Sequence, residues 1–413
     1  MISVDDYFHQ VTSLTHTLPT RILPIEKALG CVLACDIHAR YAVPPFTNSS
    51  MDGFAMRSQD TPETPPFSLP VAGDIPAGDS TEYVCEAGQA WRIMTGARLP
   101  EGADCVVKVE DTDQPAGIAP LPSEVQIHRV PCAQQFVRHQ GEDVHVGDMV
   151  MRAGTVLTPS ALSAIVSVGH ADVQVYARPR VTVISTGSEL RAPGEPLEGA
   201  QIPDSNATLL QGLLARDDCE LVGMKRCADT AVSFRKVLLE AAQHSDIIIT
   251  SGGVSAGAYD FVKAVGKQVD VAFHRVAMQP GKPQGCGVLQ ARDGHRVIVT
   301  TLPGNPVSVF VSYHMFVRPV IAALTGRDAN NVHHRLAATA AQGWRSVSGK
   351  RQFVPVQLND PQHAGETPLA TPTHVLGSKS HLVVSLTFAN ALAVIPEDVD
   401  LVEQWSIIDV IRV

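Results

Sequence analysis

The sequence lacks any clustered cysteine. Its eight cysteines stand at 31, 35, 85, 105, 132, 219, 227 and 286, and no two form a CxxC pair. Such scatter in a chain this large favours free thiols in a reducing compartment over a disulfide framework. The sixteen histidines contain no HxH or HxxxH pattern, so a metal site has to rest on carboxylates. Basic excess is also missing: 32 Lys plus Arg stand against 42 Asp plus Glu, a formal charge of -10. That balance argues against a surface made for nucleic acid or an anionic membrane. An anionic ligand must then be held locally, by backbone amides and a few basic side chains. Met1 to Gln10 is acidic and has no apolar core, so no secretory signal is expected there. The most apolar long segment, 307 to 324, follows a proline and contains His314 and Arg318, which suits a packed helix better than a membrane span. A soluble cytoplasmic protein is the expectation. Internal repeats and low-complexity tracts are absent as well.

What is present is a 413-residue chain, long enough for two to four domains. Helical spacing runs through DDYFHQVTSL and PIEKALGCVLA in the first 34 residues and returns over 161 to 168. Between them, from about 41 to 140, prolines and glycines recur every few residues around short runs such as DCVVKVE and EVQIHRV, which predicts a β-rich insertion. The expected organisation is an elongated helical segment at 1–40 and 141–178, interrupted by a β-rich domain at 41–140.

From 179 to 328 the rhythm changes. VTVIST, a helix from Asp204, CELVGM, a helix from Ala231, DIIIT, VAFHRVA and RVIVTT follow in order. Strands alternating with helices predict βαβ units and a mostly parallel sheet. Over 329–413, RQFVPVQL, HLVVSL, ALAVIP and WSIIDVIRV predict a small closed or sandwiched β domain.

Ligands on open α/β sheets sit at the carboxyl ends of the strands. Four loops are expected there. In Thr250-Ser251-Gly252-Gly253-Val254-Ser255-Ala256-Gly257, three glycines and two serines follow a run of isoleucines. Glycines let the backbone approach a ligand, exposed amides point at an anion, and a following helix adds its positive end. Ser185-Thr186-Gly187-Ser188-Glu189-Leu190 leaves the first strand, Leu302-Pro303-Gly304-Asn305-Pro306 joins the last strand to a long helix, and Gln279-Pro280-Gly281-Lys282-Pro283 presents one lysine from a rigid turn. Glu189, Asp204, Asp229 and Asp260 each lie just past a predicted strand. Carboxylates beside a phosphate loop bring a divalent cation, since Mg²⁺ takes one or two of them plus phosphate oxygens. Asp204 and Asp229, standing before Ser-Asn and Thr, are equally good helix N-caps. Spacing alone assigns no role to the polar turns around Asp52, Thr95 and Asp143.

Taken together, NSSMDGFA (48–55), RIMTGARLPEGAD (92–104), GED (141–143), STGSEL (185–190), DSN (204–206), SGGVSAGAYD (251–260), PGKP (280–283), LPGNPVS (302–308) and GSKSHL (377–382) closely resemble the molybdopterin molybdenumtransferase family, whose animal counterpart is the C-terminal domain of gephyrin. The pieces run in family order over nearly the whole chain. The resemblance implies a multidomain α/β plus β fold: an elongated helical segment, a β-rich insertion, a three-layer molybdopterin-binding α/β domain and a C-terminal β-barrel. It also implies a homodimer whose cleft joins the α/β domain of one subunit to the insertion of the other.

The implied reaction converts adenylyl-molybdopterin and molybdate to molybdenum cofactor and AMP, with Mg²⁺ as the divalent cation. By position, the resemblance implies catalytic roles for Asp52, Thr95, Asp143, Glu189, Asp229, Asp260 and Lys282. It implies substrate binding by Thr186, Gly187, Ser188, Ser251, Gly252, Gly253, Ser255, Pro303, Gly304, Asn305, Pro306 and Ser380, and cation binding by Glu189, Asp229 and Asp260. The dithiolene sulfurs come from the substrate, in keeping with a chain without clustered cysteines. The sequence departs from the family at Arg275 and Gln279, where lysines are frequent; Gln279 loses a charge near the cleft. Two readings compete. Molybdopterin adenylyltransferase, also a prospective partner, shares the SGG and PGxP loops but typically consists of the α/β domain alone; a non-catalytic pterin-binding scaffold would be expected to lose the acidic set. An ordinary nucleotide enzyme is disfavoured because no GxGxxG follows VTVIST and no GxxxxGK[ST] occurs.

Overall fold

The computed structural model describes residues 1–413 apart from 63, 254–264, 266–268, 362, 364, 365 and 378. Its centre is a six-stranded sheet in the order Glu220–Cys227, Arg180–Thr186, Ile247–Ser251, Arg296–Leu302, Pro283–Gln290, Val271–Arg275. The first four strands are parallel and the last two run antiparallel to their neighbours. Side chains of a strand alternate between faces, and here the alternation separates two cores. Ile247, Ile249 and Ile298 pack with Leu210, Leu213 and Val309 on one face, whereas Ile248, Val297 and Val299 pack with Phe234 and Leu238 on the other. Helices Ser205–Arg216 and Ala231–Ala241 thus cover opposite faces, giving the expected three layers.

Helix Ser205–Arg216 begins where Asp204 accepts the Ala207 amide at 3.1 Å. Helix Ala231–Ala241 is capped by Thr230, which accepts the Ser233 amide at 3.2 Å. Of the two aspartates that could cap helices, only Asp204 does so. The apolar stretch Pro306–Leu324 is buried inside the protein; within it the turns at Tyr313–Val317 widen to π geometry between two α-helical pieces.

The C-terminal region closes on itself. Strands Arg351–Asn359, Leu369–Pro372, Arg335–Ala340, Ile407–Arg412 and Ala391–Ile395 pair in that order, and the last pairs back with the first. Closure removes the exposed edges of an open sheet. The narrow interior takes Ala338, Ala340, Ala370, Ala391 and Ala393 among larger aliphatics. Met278–Gln279 adds a short parallel strand at Arg351 and Gln352, joining the barrel to the α/β unit beside the PGKP turn. Gln279 therefore sits at the joint between the barrel and the α/β unit.

The insertion contains a five-stranded sheet in the order Cys105–Lys108, Gly53–Met56, Ala90–Ile93, Phe67–Ile75, Glu124–Ile127. Its two ends meet where Asn48 and Ser49 pair with Arg138 and Val137. The flanks of the insertion differ in part from expectation. Val4–Ser13 and Pro159–Ser167 are helices, the former with a Ser3/Asp6 capping box. The second expected N-terminal helix, in PIEKALGCVLA, is reduced to a 3-10 turn at Ile25–Lys27. Gly30 takes φ +79° there, and tertiary pairing prevails over local spacing: Thr20–Pro24 pairs antiparallel with Asp172–Tyr176, and Val32 and Leu33 bridge to Val156 and Val175. All eight cysteines are free.

Candidate active site

The register of the parallel strands brings their ends together. Ser185 lies opposite Ser251, Thr186 opposite Cys227, and Ser251 opposite Leu302. The loops at 187–189, 228–230, 252–253 and 303–305 thereby leave one edge of the sheet. Because Pro283–Gln290 runs antiparallel to Arg296–Leu302, the PGKP turn that precedes it arrives at the same edge. Arg275, paired with Pro283, ends its strand there too.

These loops are fastened to one another. Gly252 adopts φ +91°, and a Cβ on it would stand 2.5 Å from the Thr186 carbonyl oxygen, so only glycine fits at this approach of two loops. Asn206, in the first turn of helix Ser205–Arg216, donates through Nδ2 to the Gly304 carbonyl at 2.7 Å and to Ser251 Oγ at 3.3 Å. One buried amide thus joins the glycine-rich loop to the PGN turn. Asp229, freed from capping, accepts the Ser188 amide at 3.0 Å and the Ser188 hydroxyl at 3.3 Å, both on Oδ2. Glu189 is exposed and folds over Gly187, where a Cβ would meet its carboxylate oxygens at 2.7 and 2.8 Å. From the C-terminal region, Ser380 accepts Asn305 Nδ2 at 2.8 Å on its hydroxyl and the Val307 amide at 3.0 Å on its carbonyl. Pro306 opens the following helix at its first turn, where a missing N–H costs nothing.

Several polar atoms at this edge have no partner among the described residues. Thr186 Oγ1, Ser185 Oγ and Asn206 Oδ1 are buried without a hydrogen bond among the described residues. Buried polar groups are ordinarily paired, so this edge has unmet donors and acceptors. Lys282 is half-buried in its turn, its carbonyl held by the Val276 amide at 2.8 Å, and forms no ion pair among the described residues. Cys227 ends its strand at this edge, and burial, with the Asp229 charge nearby, pushes its thiol up to about 11. It packs as a neutral thiol.

The carboxylates Glu189 and Asp229 come from adjacent loops, while Asp260 and Ser255 lie outside the described residues. Among the described residues no cluster of three metal-ligating side chains occurs. A pair of carboxylates nonetheless suits Mg²⁺, which completes its octahedron with phosphate oxygens and water. Asp229 Oδ1 carries none of the hydrogen bonds of its partner oxygen.

Asp52 and Thr95 sit elsewhere on the chain. Asp52 Oδ1 accepts the Thr95 amide at 2.6 Å, and the two line a cavity of about 480 Å³ with Arg92, Met94 and Glu110. Arg92 holds that wall by a bidentate contact to Asp74 at 2.7 and 3.0 Å and by the Ala119 carbonyl at 2.9 Å. Asp143 stands in the turn that returns from the insertion, its amide held by Val43 at 2.9 Å. Among the described residues no hydrogen bond or strand pairing joins Asp52, Thr95 or Asp143 to the carboxyl-edge loops of the same chain.

Three family models match in order: "MoeA N-terminal region (domain I and II)" over residues 2–169, "Probable molybdopterin binding domain" over 182–323, and "MoeA C-terminal region (domain IV)" over 337–412. The fold and the loop edge are thus those of a molybdopterin-binding transferase of molybdenum cofactor biosynthesis. The chain is 39% identical to molybdopterin molybdenumtransferase 2 of Mycobacterium tuberculosis, over 97% of its own length and 96% of that protein's. It is 36% identical to the molybdopterin molybdenumtransferase of Haemophilus influenzae, over 81% and 80%. The crystal structure of the molybdopterin biosynthesis moeA protein from Pyrococcus horikoshii superposes with a TM-score of 0.79 at 25% identity, covering 100% of both chains. This chain belongs to the molybdopterin molybdenumtransferase family.

Asn206 is not among the site residues expected from sequence, although it stands within the DSN triplet. The signal was its place one residue into a helix capped by Asp204, which turns its amide toward the neighbouring loops.

Proposed function

We propose that the carboxyl-edge loops bind adenylyl-molybdopterin and that the protein exchanges its adenylate for molybdenum, consuming molybdate and releasing AMP and molybdenum cofactor. The observation that carries this reading is the fastening of three loops through Asn206 and Gly252 around unpaired Thr186 and Ser185 hydroxyls. Amides and hydroxyls at Thr186 to Ser188, Ser251 to Gly253 and Pro303 to Pro306 would bind the phosphate or pyrophosphate of the substrate, with Ser255 continuing the glycine-rich loop. Lys282 would supply the one flexible cation on the PGKP turn, and Ser380 would hold Asn305 in place. Lys282 and Arg275 offset the charge lost at Gln279.

Glu189 and Asp229, with Asp260, would hold Mg²⁺, which supplies charge neutralisation at the phosphoanhydride when bound. Asp229 at the same time positions Ser188 by accepting its amide. Asp52 and Thr95, with Asp143, would come from the second subunit of a cytoplasmic homodimer to close the cleft. The proposed units are 1–40 with 141–178, 41–140, 179–328 and 329–413, and the molybdopterin adenylyltransferase would deliver the adenylylated substrate.

Purified protein given molybdopterin and Mg-ATP should form no adenylyl-molybdopterin; formation of that product would favour the adenylyltransferase reading. Asp229→Asn should raise the Mg²⁺ concentration needed for half-maximal AMP release by at least about tenfold. An unchanged Mg²⁺ dependence would remove Asp229 from the cation site.

A further inference from the structure

A second concentration of charge lies at the opposite, amino edge of the parallel sheet. Arg178 leads into the strand beginning at Arg180, and Asp217 and Asp218 lead into the one beginning at Glu220. A cavity of about 250 Å³ there is lined by Arg178, Arg216, Arg318 and Arg327 together with Asp217 and Asp218. A neighbouring cavity of about 490 Å³ shares Arg318 and Arg327 and adds Asn331, His334 and the turn at Gly154.

The acidic groups here are already engaged. Asp218 pairs with Arg178 at 2.9 Å; Asp217 accepts the Tyr313 hydroxyl at 2.7 Å and meets Arg318 at 3.4 Å. Asp328, on the rim, accepts the Asn330 amide at 2.9 Å. The Arg327 guanidinium donates to a neutral partner, Thr325 Oγ1 at 3.3 Å, and among the described residues neither it nor Arg216 forms an ion pair. Burial pulls the Arg327 guanidinium below its ordinary value despite the pull of Asp217 in the other direction. In the smaller cavity four guanidiniums face two carboxylates, and Asp328 adds a third carboxylate at the rim of the larger one, so the joined cavities carry one more positive charge than negative, with Arg327 half-buried and Arg216 exposed. A half-buried cation without a partner is costly, and a planar guanidinium fork matches two oxygens of a tetrahedral anion.

We propose that these joined cavities bind a small tetrahedral oxyanion, phosphate or molybdate, held by Arg327 and Arg318 at the edge of the sheet opposite the transfer site. The anion is held where Arg318 and Arg327 line both cavities, with Arg216 on the side of the smaller cavity and the turn at Gly154 from the N-terminal flank on the side of the larger. Occupancy therefore fastens the flank to the α/β unit.

Thermal unfolding and calorimetry of the full chain with inorganic phosphate, sulfate or molybdate test this, with chloride at matched ionic strength as control. Phosphate or molybdate raises the melting temperature of the wild type, and the tighter of the two is the ligand. Arg327→Gln weakens that binding at least about tenfold, the loss of one charge-assisted contact, while Arg327→Lys retains part of it and Ser251→Ala at the transfer site leaves it intact. Should Arg327→Gln fail to fold, Arg216→Gln and Arg327→Lys carry the comparison, each weakening the anion. Equal stabilisation by chloride, undiminished binding in the Arg327 and Arg216 variants, or loss of binding only with Ser251→Ala would overturn the proposal. So would an Arg327 variant whose sole change is its oligomeric state, which would assign the guanidiniums to a contact between copies of the chain.

Discussion

Asn206 spends both amide hydrogens on neighbouring loops, one on the Gly304 carbonyl and one on Ser251 Oγ. Truncating it removes the two hydrogen bonds between the loops, a loss of about 0.5–1.5 kcal/mol for each. Asn206→Ala should therefore lower the melting temperature by a few degrees and weaken adenylyl-molybdopterin binding more than it weakens overall folding. A variant with normal substrate affinity would show that the two loops are held by other means. The sequence made much of this legible: glycines, serines and the acidic set stood at the ends of runs read as buried strands. It left open which aspartate caps a helix, because Asp204 and Asp229 have equivalent local surroundings. The difference is tertiary: Thr230 takes the cap and Asp229 turns to Ser188.

At the scale of elements, the PGN turn is held from outside the α/β unit. Ser380→Ala removes the acceptor for Asn305 and should cost about 0.5–1.5 kcal/mol of local order. Its expected signature is a raised KM with kcat nearly unchanged, and a fall in kcat alone would contradict a supporting role. The buried helical stretch around the π turn carries a pH dependence. Burial lowers the pKa of His314 well below the ordinary value, and lowers that of His333 in the same way. Both are neutral in the fold, whereas the unfolded chain takes up protons near about pH 6.5. Stability is therefore full above that pH and falls as pH drops below it, by up to about 1.4 kcal/mol per pH unit for each group. Denaturant unfolding at pH 7.5 and 5.0 should show the loss, and His314→Phe should lessen it; an identical pH slope would contradict the assignment. The expected helix in PIEKALGCVLA failed at this scale, because helical spacing says nothing of partners far along the chain, at Val156, Asp172 and Val175, that claim the same segment.

At the scale of the molecule, two polar sites lie on one chain with no hydrogen bond between them among the described residues, one around Asp52 and Thr95 and one at the carboxyl edge. A cleft shared between subunits predicts complementation. At a Mg²⁺ concentration too low to support Asp229→Asn alone, mixing Asp52→Ala and Asp229→Asn subunits should restore about a quarter of wild-type activity, since half of the dimers are mixed and each has one intact cleft. No recovery after subunit exchange would mean that both sites act within one chain. The chain order of the three matched regions was legible from nine short motifs, and the shared edge of the four α/β loops from the alternation of strands and helices; the bonds that fasten those loops, such as Asn206 to Gly304, were not, since no single sequence window records them.

The central claim is the transfer itself. Wild-type protein incubated with adenylyl-molybdopterin and Mg²⁺ should release AMP and form molybdenum cofactor when molybdate is added. AMP release that proceeds equally without molybdate, or adenylyl-molybdopterin that stays bound and unchanged in its presence, would contradict the account.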